Sequence, residues 1–450
     1  MKKAIFMFLF VILFLFTSCN SLVLPGPLIT KIMARLHGDS FDFSSSINEK
    51  NADTFLSVGK SKSDIYTRNQ GGFDFLYTVS DSAGNISLVD SFGGAGNDVF
   101  IKSIATNDGG YILAGVTDSL SIKYKSLNLT GAHGNKDIIL IKFDAGNNLL
   151  WHRFIGGSGN DNFGNIMEEK EYPYNLLLCG YTNSTDDDFS MNTDPSNYDG
   201  FVMSMESDGS TSQTGIYGGN SFDSINKVYK SGSIYYYIGE TSSSDSYGWH
   251  PGYKSGVPTR DIWFIYTDSI VGTYFQSNCL GGSGDEFYCD SQDFGINSNF
   301  FDSAVCGVSD SIDFISTSKN YDAFVSRINF LYDGKSWIIT EKWGNKFDYG
   351  NEDMPLRVLK DNKNNLNMVI NSGNNIFSME SIENYSNYFL NISAGGTINS
   401  LRFIQNPVST RIKSFIIINN EKFIFLGDIP DENNSPKRIL TGSDWAFLDT

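Results

Sequence analysis

The chain is poor in the residues from which active sites are usually built. Its 450 residues include only 4 histidines and 5 cysteines. The histidines His37, His133, His152 and His250 are scattered, with no HExxH and no Cys/His spacing suited to zinc. The Gly-rich stretches lack the strand–loop–helix setting of a phosphate loop. Basic residues are scarce as well: 33 Lys and Arg stand against 51 Asp and Glu, a net charge of −18. Such a balance argues against nucleic acid as a partner. Proline is rare at 10 residues, and no apolar run approaches the roughly 20 residues of a membrane-spanning helix. No metal, cofactor or catalytic set is read from this inventory, so the expectation is a non-enzymatic protein. What is abundant is Gly, Ser, Asn, Asp, Phe and Tyr, a mixture suited to many short strands joined by tight turns.

The first residues form an ordered series. Lys2 and Lys3 are followed by the apolar run from Ala4 to Phe16, then by the small residues Thr17 and Ser18 and by Cys19. That order predicts a secretory signal over 1–18. Phe16-Thr17-Ser18-Cys19 resembles a bacterial lipobox, departing from it at Phe16, where Leu is usual. The resemblance implies that the Cys19 thiol is diacylated and becomes the new N-terminus, with 19–27 as a lipidated tether. The protein is then held at the cell envelope, on the outer membrane or cell surface, outside the cytoplasm. One acyl chain anchors only marginally, whereas two or three hold essentially permanently. The other cysteines, Cys179, Cys279, Cys289 and Cys306, read as small buried apolar residues and not as a disulfide framework.

Beyond the tether the sequence repeats. A Gly-containing turn recurs at His37-Gly38, Gly93-Gly94, Gly156-Gly157, Gly218-Gly219, Gly281-Gly282 and Trp343-Gly344. An Asp opens an apolar run at Asp74, Asp137, Asp199, Asp261, Asp322 and Asp444, with Asn387 in the matching place before the last. A Gly ends an apolar strand at Gly59, Gly115, Gly180, Gly239, Gly307 and Gly427, with Asn371 standing in once. In the period 101–157 these markers bracket four strands, Ile101–Ala105, Tyr111–Gly115, Asp137–Phe143 and Leu149–Ile155. Four antiparallel strands in a repeat of this length suit a propeller blade. Leu28–Leu36 reads as a lone fourth strand and Asp444–Asp449 as a third strand lacking a fourth. The expected fold is therefore all-β, a seven-bladed propeller of four-stranded antiparallel blades over 28–450. The N-terminal strand would pair with the C-terminal blade and close the ring, removing an exposed edge.

Gly156-Gly157-Ser158-Gly159-Asn160-Asp161, Asp108-Gly109-Gly110-Tyr111-Ile112-Leu113-Ala114-Gly115 and Asp137-Ile138-Ile139-Leu140-Ile141-Lys142 together resemble the bacterial propeller repeat called SBBP. The resemblance runs from about 37 to 450, is clear in the first four periods and fades afterwards. It implies a binding or scaffolding body in an exported or surface protein, with no fixed chemistry.

Connectivity puts the Gly turns and the long second-to-third loops at one end of the ring, and two sets of short turns at the other. The long-loop face is the expected binding face for a protein or glycan, and the short-turn face is expected toward the membrane. The best exposed patch is Tyr247, Trp249, His250 and Tyr253 in the loop 240–260, with Tyr124 and Tyr321 in comparable loops. An acid lies four residues past each Gly turn, at Asp42, Asp98, Asp161, Asp223, Glu286 and Asp348. These carboxylates could ring a ligand, but recurrence in nearly every period favours acceptors for backbone N–H groups of their own turns. Asp186-Asp187-Asp188 with Asp194 reads as a solvated acidic loop, since its spacing is not that of an EF-hand. The alternatives to a binding propeller are a structural subunit of an envelope assembly and a glycan-active propeller enzyme.

Overall fold

Alternating apolar residues bounded by Asp, Asn and Gly turns give this chain thirty-one strands and one short 3-10 helix among the residues described. The computed structural model describes residues 28–29, 31–35, 40–64, 66, 69–171, 173–244, 259–271, 275–311, 321–332, 337–349, 352–373, 386–405, 411–418, 422–430 and 436–444. No helix among the described residues is long and apolar enough to cross a membrane.

The strands form an all-β propeller. In the second period they are Asp98–Ala105, Tyr111–Thr117, Asp137–Phe143 and Leu149–Ile155, one antiparallel sheet in which the third and fourth strands have the expected limits. The same four-stranded antiparallel arrangement occurs in six sheets. Neighbouring sheets pack face to face and bury apolar side chains, Ile139, Ile141 and Phe143 of the second sheet against Phe75 and Tyr77 of the first for example. Closure of the ring is seen where Ile416, Ile418, Ile424 and Leu426 of the last sheet meet Ile47 and Phe55 of the first.

The count of four-stranded blades is six, not seven. The sheet built on Glu352–Lys360, Leu366–Gly373, Ser386–Ile392 and Ile398–Gln405 carries a fifth strand, because Leu28–Ile29 adds in parallel to its outer edge. The expected single strand Leu28–Leu36 is thus split. After Ile29 the chain moves to the last sheet, where Lys31–Arg35 pairs antiparallel with Pro436–Asp444. This strand does pair with the C-terminal sheet, but its partner is a third strand that ends at Asp444 instead of beginning there. Residues 445–450 lie outside those described. A single strand Leu28–Leu36 running toward the Gly-turn end would begin, next to the tether, at the short-turn end, and the split removes that reason for a membrane-facing short-turn side. Leu28 pairs with Ile404, next to the last residue of its neighbour strand, at the Gly-turn end.

Three other markers need correction. Trp343-Gly344 is no turn; both residues sit within the strand Trp337–Phe347. The fifth sheet has strands of up to 12 residues, so a constant repeat spacing falls inside a strand instead of after it. Asn371 and Asn387 stand one place off the Gly and Asp positions, because the register Asp353↔Ser372↔Ser386 puts Ser386 at the start of the third strand. Both asparagines instead grip the next sheet, Asn371 donating to the Ile412 carbonyl at 2.8 Å and Asn387 accepting from the Ile412 N–H.

One irregularity recurs without exception. The innermost strand of each of the seven four- and five-stranded sheets has a β-bulge, between Ser44 and Ser46, Phe100 and Lys102, Phe163 and Asn165, Ile225 and Lys227, Tyr288 and Asp290, Pro355 and Val358, and Ile412 and Ser414. A bulge bends its strand and re-aims side chains. The strand-ending glycine is its socket: a Cβ on Gly115 would lie 2.1 Å from the Val99 carbonyl oxygen, and one on Gly180 would lie 2.0 Å from that of Asn162.

Candidate functional site

The residues singled out in the sequence fall in three places. Cys19 and the patch Tyr247, Trp249, His250 and Tyr253 lie outside the described residues. Tyr124 is not exposed: the loop 116–136 forms a hairpin, Ser121–Tyr124 with Leu127–Thr130, that folds Ile122, Tyr124 and Leu129 onto the core. Tyr124 stacks edge-on to Phe92 at 4.7 Å and to Phe143 at 5.9 Å. Tyr321 is half-buried and packs against Phe287 at 5.7 Å. The acidic loop is engaged by its own protein. Asp188 pairs with Arg153 at 2.6 Å, Asp186 accepts from the Ser158 N–H, and Asp194 accepts from the Ser196 N–H. The adjoining Phe189 is fully buried.

The turn acids form a ring, but an inward-sealed one. Asp42, Asp98, Asp161, Asp223 and Glu286 have no exposed surface. Asp98 accepts from the Gly94 N–H, the Thr117 hydroxyl and the Ser119 hydroxyl. Asp161 does the same with Gly157, Thr182 and Ser184. Glu286 takes the Gly282 N–H on one oxygen and the Ser309 and Ser311 hydroxyls on the other. The sixth member is Asp353 and not Asp348, which is exposed; Asp353 is buried and accepts from the Tyr349 N–H at 2.7 Å. Several of these acids have a second carboxylate nearby, Asp74 for Asp98, Asp137 for Asp161, Asp261 for Glu286 and Asp322 for Asp353. Gly93 sits between two of them, since a Cβ there would lie 2.3 Å from Asp74 Oδ1 and 2.5 Å from Asp98 Oδ2. Burial pushes Asp74 up to about 7, and Asp98, Asp161 and Asp353 up to about 6. Glu286 is also raised by burial, with Asp261 beside it. These groups join each sheet to the next. The N–H of five of these acids also reaches back to the end of the preceding long loop, as in Asp98 to Phe73 and Asp161 to Lys136, so Gly turns and long loops share one end of the ring.

A different set reaches the axis. The residue four positions after each turn acid stands at the bulge: Ser46, Lys102, Asn165, Lys227, Asp290 and Arg357. All six line one axial cavity of about 320 Å³, joined by Lys413 of the last sheet. A second space of about 520 Å³ shares Asn48, Lys102 and Arg357 with it. Its further wall includes Glu49, Ala105, Glu168 and Lys360, from the far ends of the inner strands, so it lies toward the short-turn side.

The girdle is ordered by its own hydrogen bonds. Lys102 donates to Asn165 Oδ1 at 2.6 Å. Lys227 donates to Asp290 Oδ1 at 2.7 Å and to the Ser291 carbonyl at 2.8 Å. Arg357 donates to the carbonyls of Ile47 and Phe415 and to Asn48 Oδ1. Burial raises the Asp290 carboxyl, but Lys227 and Arg357 more than reverse this and hold it below its ordinary value. Burial and the charges of Lys227 and Arg357 lower Lys102 to about 7. Cys289 lines the cavity as well and is half-buried, an exception to the reading of four buried cysteines; all four described cysteines are free thiols. The signal for this girdle was present as a fixed offset from the turn acids. It was hidden because residue type at that offset changes from sheet to sheet.

No family model matches the chain, and no curated protein matches it. Solved structures that resemble it include a protein of unknown function from Dyadobacter fermentans, 9% identical with a TM-score of 0.44, covering 78% of this chain and 95% of that one. An α-L-arabinofuranosidase from Fusarium graminearum is 10% identical with a TM-score of 0.46, covering 94% and 99%. The NanB sialidase of Streptococcus pneumoniae is 10% identical with a TM-score of 0.40, covering 95% and 72%. At such scores none of them bears on what this chain does.

Proposed function

We propose that this chain is a non-enzymatic lipoprotein of the cell envelope, anchored through Cys19, whose propeller of SBBP-type repeats binds or scaffolds a protein or glycan partner. In this reading the five-stranded sheet over 352–405 counts as a blade, and the ring has seven. The observation that carries it is the division of labour among polar groups. The turn acids are consumed in holding sheet to sheet, while a second polar set is held by bulges at the ends of rigid strands and faces open space. Preorganised side chains on a scaffold of this stiffness suit recognition. Among the residues lining the 320 Å³ cavity the girdle has a single carboxylate, Asp290, and it is paired to Lys227.

Two experiments test the reading. Labelled palmitate should enter the wild-type chain and the membrane fraction should retain it, and both should be lost in Cys19→Ser. Purified protein should retrieve a partner from envelope extract reversibly. A permanent stoichiometric complex would favour a structural subunit, and turnover of a glycan would overturn the non-enzymatic reading.

A further inference from the structure

The charges that line the axial cavity do not cancel. In the 320 Å³ space Lys102, Lys227, Arg357 and Lys413 face a single carboxylate, that of Asp290. Asp290 is already taken by Lys227 at 2.7 Å, and Lys413 has Asp428 at 3.9 Å. Lys102 and Arg357 have neutral hydrogen-bond partners only: the amide oxygen of Asn165 for the first, two backbone carbonyls and Asn48 for the second. Three of the five guanidinium N–H groups are thereby held on neutral oxygens. The head is fixed in place, and the one carboxylate that offsets its charge, Asp290, is already hydrogen-bonded to Lys227.

Excess positive charge inside a ring is costly to leave unpaired. It also stands out in a chain of net charge −18. Burial and the like charges of Lys227 and Arg357 depress Lys102. The cavity volume falls at the lower end of the range of small-molecule sites, about 300–1,000 Å³. Asn48, Asn165 and Ser46 add neutral polar atoms to the same wall, enough to orient a bound group.

We propose that the axial cavity binds a small molecule through an oxyanion, a carboxylate or a phosphate, held by Lys102 and Arg357. This deepens the binding-propeller reading and rests on it only in calling the body a receptor; the partner on the outer faces is a separate matter.

The test uses the purified full-length chain in detergent, titrated calorimetrically with citrate and with inorganic phosphate at constant ionic strength. At least one should bind saturably at one site, citrate alone indicating a carboxylate ligand and phosphate alone a phosphorylated one. Lys102→Gln keeps a donor for Asn165 and should weaken binding by about tenfold or more, whereas Lys102→Arg should retain it. Thermal unfolding of each variant separates loss of the site from loss of the fold. Absence of saturable binding of both anions, or equal binding by wild type and a folded Lys102→Gln, would overturn the proposal. Anion binding without any envelope partner would leave the cavity site standing and remove the partner reading. Partner retrieval without anion binding would do the opposite.

Discussion

The turn acids and the bulge girdle lie only four residues apart in the sequence, yet they behave oppositely. At the turn, the residue is acidic in six sheets, is buried, and is met by donors from its own turn and the adjoining strand. At the bulge the backbone geometry is equally constant, but the side chain is in turn Ser, Lys, Asn, Lys, Asp and Arg. Constancy of type marks a position whose role is the same in every sheet. Variation of type on a constant frame marks a position relieved of that role and open to recognition. The lesson is that in a repeat protein the informative residue is the one that the frame holds still and the repeat does not dictate.

Substitutions should separate the two sets, and the largest effect belongs to the turn. In Gly156→Ala the new Cβ would sit 2.0 Å from Asp137 Oδ1 and 2.8 Å from Asp161 Oδ2, with backbone and buried carboxylates both unable to yield. Urea denaturation should show a loss of about 3 kcal/mol or more. Asp161→Ala strands the Gly157 N–H and the Thr182 and Ser184 hydroxyls, and should lose about 2–3 kcal/mol. A loss under about 0.5 kcal/mol in either would mean that the acids do not hold the sheets together.

The turn acids and the carboxylates paired with them also set a pH dependence. Asp74 is raised to about 7 and Asp98, Asp161 and Asp353 to about 6, so the folded chain keeps protons that the unfolded chain releases near pH 4. Their contribution is therefore fully present below about pH 4 and is lost as pH rises through 6 to 7. Lys102, lowered to about 7, and Lys413, lowered to about 8, act oppositely and only above that window. Calorimetric Tm at constant ionic strength should fall between pH 5 and 7, and a rise across that interval would contradict the assignment.

The smallest expected effect on the fold is at the girdle, and it follows from how the sequence could be read. The repeat, the all-β propeller and the third and fourth strands of the second sheet were legible because Gly and Asp recur wherever a bulge socket or a paired carboxylate is required. Trp343-Gly344 misled because longer strands in the fifth sheet shift the turn to Asp348 and Tyr349 without changing the spacing of glycines. The parallel addition of Leu28–Ile29 was invisible, since a two-residue pairing leaves no pattern. Lys102, Lys227, Asp290 and Arg357 were missed for a physical reason: a bulge breaks the alternation that tells inward from outward, and no residue type recurs to mark it. The exposed aromatics favoured in its place were judged on loop composition alone, and one of them, Tyr124, had the apolar neighbours to fold inward.

The most direct measurement is the stability of Lys102→Gln beside that of Asp161→Ala, by equilibrium urea denaturation without added anion. If the girdle is free of structural duty, Lys102→Gln should lie within about 1 kcal/mol of wild type, because a half-buried cation with one neutral partner is removed. A loss as large as that of Asp161→Ala would contradict the account and return the girdle to the scaffold.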